Sequence, residues 1–171
     1  MNKVLLFLLI IIACTEEFKI IKSNVNKIDK SYSVTTTPIE LAVSGMTDIY
    51  NYKIFLTLKY TKYPDDSLYL MMVKYQSISL LNLEKGYLEI DGNKIDLTTS
   101  RPPIIKQDGV NNISEIYSFD IKKENLLALI NENDSRLVLR SGHRIIDIPF
   151  DFVLKQKFRR FIERISLKDN K

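Results

Sequence analysis

Over residues 50–62 apolar and polar side chains alternate, with Tyr52, Ile54, Leu56, Leu58 and Tyr60 on one side of an extended chain and Lys53, Thr57, Lys59 and Thr61 on the other. Period two sustained over that length predicts a half-buried antiparallel strand. Tyr63-Pro64-Asp65-Asp66-Ser67 predicts a turn and residues 68–75 the returning strand. Residues 33–44, rich in threonine and β-branched side chains, predict one or two short strands broken at Pro38. Residues 87–91 and 94–98 flank Gly92-Asn93 and predict a hairpin in which Leu88 and Ile90 match Ile95 and Leu97. Residues 115–121 alternate again, and residues 136–140 and 144–148 predict a strand pair about Ser141-Gly142-His143.

The period changes to that of a helix in two places. Leu126, Leu127 and Ile130 predict a helix over residues 123–131 with a stop at Asn133. Leu154, Phe158, Phe161 and Ile165 form an apolar stripe on a second helix near 150–167, with Asp151 placed to favour its N-terminus. Residues 101–109, carrying Arg101-Pro102-Pro103 and Asp108-Gly109, read as a polar loop. Strands without a βαβ rhythm predict an α+β fold that is mainly β: an antiparallel sheet or β-sandwich of about seven strands with two packed helices, the second at the C-terminus.

The start of the chain follows neither period. Asn2 and Lys3 precede an unbroken apolar run over residues 4–13, which stops at Cys14, the only cysteine, before Thr15-Glu16-Glu17. Such a run is too short to span a bilayer, which takes roughly 20 residues, but it has the charged start and apolar middle of an export signal. Ile11-Ile12-Ala13-Cys14 resembles the lipobox of bacterial lipoproteins, in the relaxed form of spirochaetes that admits Ile where Leu and a small residue are usual. The resemblance implies cleavage before Cys14 and acylation of that residue. Two or three acyl chains hold a soluble domain on a membrane where one binds only marginally. A plain cleaved signal, an uncleaved anchor and a structural core cysteine are the other readings of the same residues. Residues 15–33 are rich in Lys, Asn, Ser and Glu with scattered apolar positions and read as a flexible tether. The expected organisation is a leader over 1–13, a lipidated N-terminus and tether over 14–33, and a single β-rich domain over 34–171.

Charge adds little until the C-terminus. The net +4 is dispersed except where Lys155, Lys157, Arg159, Arg160, Arg164, Lys168 and Lys171 face only Glu163 and Asp169. A nucleic-acid partner is therefore not expected. Catalytic chemistry finds no constellation either: His143 is the single imidazole, in a polar turn, and no Gly-rich loop links a strand to a helix. Asp65-Asp66, Glu115 and Asp120 read as solvated turn or strand residues, and neither a metal site nor a cofactor is expected.

Two surfaces remain as candidates. Nine tyrosines accompany no tryptophan, and Tyr50, Tyr52, Tyr60, Tyr69 and Tyr75 crowd onto two neighbouring strands. Exposed, they would form a recognition face, while strand propensity and core rims are the more ordinary account of them. Lys155, Arg159, Arg160 and Arg164 give the last helix a basic face that suits anionic headgroups or an acidic partner, or simply water. The sequence thus leads to the expectation of a noncatalytic lipoprotein of the bacterial envelope, lipid-anchored with the outer membrane favoured, that presents a β-rich domain to an envelope or host protein. The alternative expectation is a periplasmic accessory that holds a lipid or client polypeptide in an apolar cleft.

Overall fold

The structure, a computed structural model, describes residues 20–26, 30–41, 52–142 and 144–169. The expected leader, Cys14, Tyr50 and His143 lie outside the described residues. The fold is mainly β, with eleven strands and two helices among the described residues. Two antiparallel sheets curl toward each other as a half-barrel.

The first sheet takes β1 (Ile20–Asn26), β2 (Ser31–Thr36), β3 (Ile39–Leu41), β4 (Lys53–Lys62) and β5 (Ser67–Ser77) from the first half of the chain. Later it adds β8 (Ile104–Gln107) and β9 (Ile113–Ile121), giving the order β1-β2-β4-β5-β9-β8. β2 and β3 both pair with β4, one after the other along the same edge, because Pro38 between them has no N–H for the ladder. The second sheet has the order β11-β10-β6-β7, built from β6 (Leu83–Ile90), β7 (Asn93–Leu97), β10 (Ser135–Ser141) and β11 (Ile145–Pro149). The two sheets join at one side, where the Asp120 and Ser100 amides donate to the Thr98 and Ser118 carbonyls and Thr99 bridges Phe119. They also approach closely at Gly86, where a β-carbon would lie 3.2 Å from the Phe119 ring.

The alternation in β4 holds: Ile54, Leu56, Leu58 and Tyr60 are buried while Lys53 is exposed. β5 continues the same core face with Tyr69, Met71, Val73 and Tyr75. The hairpin also forms, with its turn one residue earlier than expected. Asp91 and Gly92 occupy it with φ of 45° and 79°, the left-handed pair that matches strand twist. The register shifts with it: Leu88 faces Ile95 rather than Leu97, Ile90 faces Asn93 and Gly86 faces Leu97.

α1 (Lys123–Asn131) has the expected bounds, and its chain turns extended at Glu132 rather than at Asn133. α2 (Phe152–Asp169) buries Leu154, Phe158, Phe161 and Ile165 in one core with Leu126, Leu129 and Ile130 of α1. Asp151 caps it, its carboxylate accepting the Leu154 amide at 2.7 Å.

Two expectations are corrected. Residues 20–33 are not all tether, since β1 pairs antiparallel with β2 over Ile20↔Thr36 to Asn26↔Ser31, and the folded body includes residues from Ile20 rather than only those from 34. β1 is a sheet edge held by backbone pairing, so it needs no strict apolar alternation. Residues 104–107 are likewise strand, not loop: β8 pairs with β9 although all four of its residues are exposed.

Candidate functional site

The tyrosine face is not a surface. Tyr60, Tyr69 and Tyr75 are buried and Tyr52 is half-buried, because the alternation that places them together turns them onto the core side of β4 and β5. Their rings pack on one another, with centroids 4.8 Å apart for Tyr60 and Tyr69 and 5.5 Å for Tyr52 and Tyr75. The Tyr75 hydroxyl accepts a hydrogen bond from the Arg144 guanidinium at 2.5 Å.

The basic face divides. Lys155 is half-buried and donates to the Glu132 and Asn133 carbonyls, tying α2 to the end of α1. Arg159, Arg160 and Arg164 are exposed, and no ion pair with another described residue is found for them. Phe152 and Val153 at the N-terminus of α2 and Leu167 near its C-terminus are exposed as well.

A recess lies elsewhere, at the end of the first sheet. An open groove of about 690 Å³ is walled by Ile78 and Leu80 from the segment after β5, by Ile105 on β8, and by Val110 and Ile113 around the β8–β9 connection. Val110 is 90% exposed, Ile105 56% and Ile78 53%, so the apolar lining meets water rather than the core. Scattered apolar side chains are ordinary on a surface, whereas a contiguous set beside a terminal strand makes a candidate site. Among the described residues β8 ends its sheet, and none of them pairs with its outer backbone edge.

Side chains of β9 and β5 fix both walls. Glu115, only 1% exposed, accepts hydrogen bonds from the Leu81 amide, from the Asn82 amide at 3.2 Å and from the Tyr117 hydroxyl at 2.6 Å. Tyr117 in turn accepts the Leu83 amide at 3.0 Å. Burial, reinforced by the neighbouring Glu115 carboxylate, holds the Tyr117 hydroxyl well above its usual range, so it remains a donor. Three successive backbone amides are thus anchored by two side chains of one strand. On the other wall Asp108 accepts from Lys74 at 2.7 Å and from the Ser114 hydroxyl, and its own amide reaches the Asn112 carbonyl. The Lys74 and Ser114 hydrogen bonds hold the Asp108 carboxyl below the usual carboxylate range. They close a short loop that turns at Gly109, with φ 84°, and presents Val110.

Reading Glu115 as a solvated strand residue is therefore wrong. Its register was legible, since residues 115, 117, 119 and 121 alternate together and the other three are Tyr117, Phe119 and Ile121. The groove had one sequence signal, the apolar pair Ile104-Ile105 within a polar stretch. Its assembly from two distant connections had none.

No group of three or more metal-ligating side chains is found among the described residues. One acid pair is perturbed: Glu132 is raised above its usual range by hydrogen bonding to Asp91 and by that neighbour's charge. Both acids are exposed, and neither lines the β8 groove. No helix among the described residues is long and apolar enough to cross a membrane. Comparison with protein families, with curated proteins and with solved structures finds no match in any of the three.

Proposed function

We propose that the chain is a lipid-anchored, noncatalytic protein of the bacterial cell envelope that binds a protein partner by adding an extended segment of it to β8. The observation that carries this reading is a terminal strand flanked by an open apolar groove of about 690 Å³. Main-chain hydrogen bonds to a strand edge supply affinity, and alternate side chains entering a neighbouring recess supply selectivity. The four-residue length of β8 and its Lys106 limit indiscriminate pairing. Cys14 and the apolar run before it support the anchor.

The second reading, an accessory that carries a lipid, is favoured by one observation: the groove volume falls among those of small-molecule sites, about 300–1,000 Å³. The two separate on what enters the groove. A photo-crosslinking amino acid at Ile105, in cells producing the whole protein, is expected to join one discrete protein, and Val110→Glu to abolish that adduct while the protein accumulates normally. Adducts of lipid mass alone would favour the accessory. Intact mass of the mature product tests the anchor: acylated Cys14 at the N-terminus is expected, and an unmodified thiol or a retained leader would refute it.

A further inference from the structure

The outward side of α2 has no role in the reading above, yet it combines two features that soluble helices usually keep apart. At 100° per residue, Phe152, Val153, Gln156, Arg159, Arg160, Glu163, Arg164 and Leu167 project away from the buried stripe of Leu154, Phe158, Phe161 and Ile165, so three arginines share that face with one acid. Phe152 is 75% exposed and Leu167 68%, at opposite ends of the helix, and the three arginines stand between them. Apolar side chains that can enter a headgroup layer, interleaved with guanidinium groups that bind phosphate, are the composition of a helix lying in a membrane interface.

The entry point of the chain selects the occupant. Ile20 opens β1 opposite Thr36, three residues before Ile39. Ile39 and Leu41 share a cleft of about 210 Å³ with Val153, Leu154 and Lys157 of α2. The chain therefore enters the folded body beside the N-terminal half of α2. Between Cys14 and Ile20 lie six residue steps, which even drawn straight reach at most roughly 20 Å. With Cys14 in the bilayer, that side of the domain cannot be carried far from the lipid.

From this we infer that the outward face of α2 docks on the anionic surface of the membrane that holds the anchor, so the domain has a fixed orientation rather than tumbling above the bilayer. The inference rests on acylation of Cys14. Phe152 and Val153 insert beside the tether, Arg159, Arg160 and Arg164 bind lipid phosphates, and Leu167 inserts at the far end. Lys155 takes no part, because it is committed to the Glu132 and Asn133 carbonyls.

The lipidated protein has no free thiol, so Gln156→Cys can be labelled alone with a polarity-sensitive fluorophore and reconstituted into vesicles. In phosphatidylcholine vesicles containing phosphatidylglycerol, blue-shifted emission and quenching by a nitroxide-bearing lipid are expected. Both should be absent in phosphatidylcholine alone and weakened by salt. A label at Asp65→Cys, in the turn at the far end of β4 from its pairing with β3, should report water in both. Reversing Arg159, Arg160 and Arg164 to Glu should lower the docked fraction relative to the undocked by at least roughly a hundredfold, on the scale of basic residues at an anionic surface. A label at 156 that reports water in anionic vesicles, while the protein stays vesicle-bound, overturns the docking and leaves the anchor standing; a helix reserved for an acidic protein would behave in this way. Protein that fails to remain with the vesicles, together with a mass lacking acyl groups, overturns the anchor and the docking together.

Discussion

Replacing Glu115 by alanine removes the acceptor for the Leu81 and Asn82 amides and the Tyr117 hydroxyl at once. Leu81 is buried and the Tyr117 side chain sits within the core, so neither donor finds water without a rearrangement. Each stranded buried donor costs about 1–3 kcal/mol, whereas the part-exposed Asn82 amide can turn to solvent at little cost. The expected loss is about 2–6 kcal/mol, a large share of the roughly 5–15 kcal/mol that holds an ordinary domain together. Glu115→Gln separates shape from charge. Its amide keeps one oxygen and presents an NH₂ where the other stood, so one donor faces a donor and about 1–3 kcal/mol is lost. Urea unfolding of the three proteins should rank wild type above Gln above Ala. Hydrogen exchange should show the Leu81 and Asn82 amides losing protection in Glu115→Ala beyond the global change. An alanine variant within about 0.5 kcal/mol of wild type, with the Leu81 amide still protected, would refute the claim that this carboxylate holds the groove wall.

Other outcomes follow from the same geometry. Gly86→Val should destabilise by about 1–3 kcal/mol in urea, because its side chain must displace the Phe119 ring 3.2 Å from the new β-carbon. Tyr60→Ala should cost about 3–5 kcal/mol by opening a cavity between Tyr32 and Tyr69, yet leave any partner binding by the remaining folded protein unchanged. Asp151→Ala should cost about 0.5–2 kcal/mol through loss of the α2 cap, with fraying at its N-terminal amides by NMR. Asp108 has its carboxyl lowered by Lys74 and Ser114, so its contribution to loop stability is complete above the free carboxyl value near 4 and is lost as pH falls through the lowered one. Exchange of the Asp108 amide, which donates to the Asn112 carbonyl, should rise over that acidic window, and Asp108→Asn should remove the pH dependence.

What could be read from the chain depended on whether an element is specified by its own side chains. β4 and α2 bury a face of their own, so period two in one and the stripe of Leu154, Phe158, Phe161 and Ile165 in the other placed them correctly. β8 buries little that the sequence could announce, and the pairing of β1 and β8 depends on β2 and β9 being presented beside them. Tyrosine was ambiguous because a ring with a polar tip suits a rim and a core alike. The β4 alternation already set Tyr60 with Leu58 and Leu56, and that neighbourhood decided the matter. The groove escaped because Ile78, Leu80 and Val110 belong to connections whose adjacency arises only when β5, β8 and β9 are side by side.

The chain visits its two sheets in turn, with β1–β5 in the first, β6 and β7 in the second, β8 and β9 back in the first, and β10 and β11 in the second again. β6 must wait for β10, some fifty residues downstream, before it gains its central neighbour, and β5 must wait for β9 across β6 and β7. Neither layer can mature ahead of the other, so assembly is governed by distant partners meeting and is slow for a chain of this size. The same interlock means that heat or denaturant should melt both layers in one step, and that no clipped half of the molecule should survive a protease as a stable core.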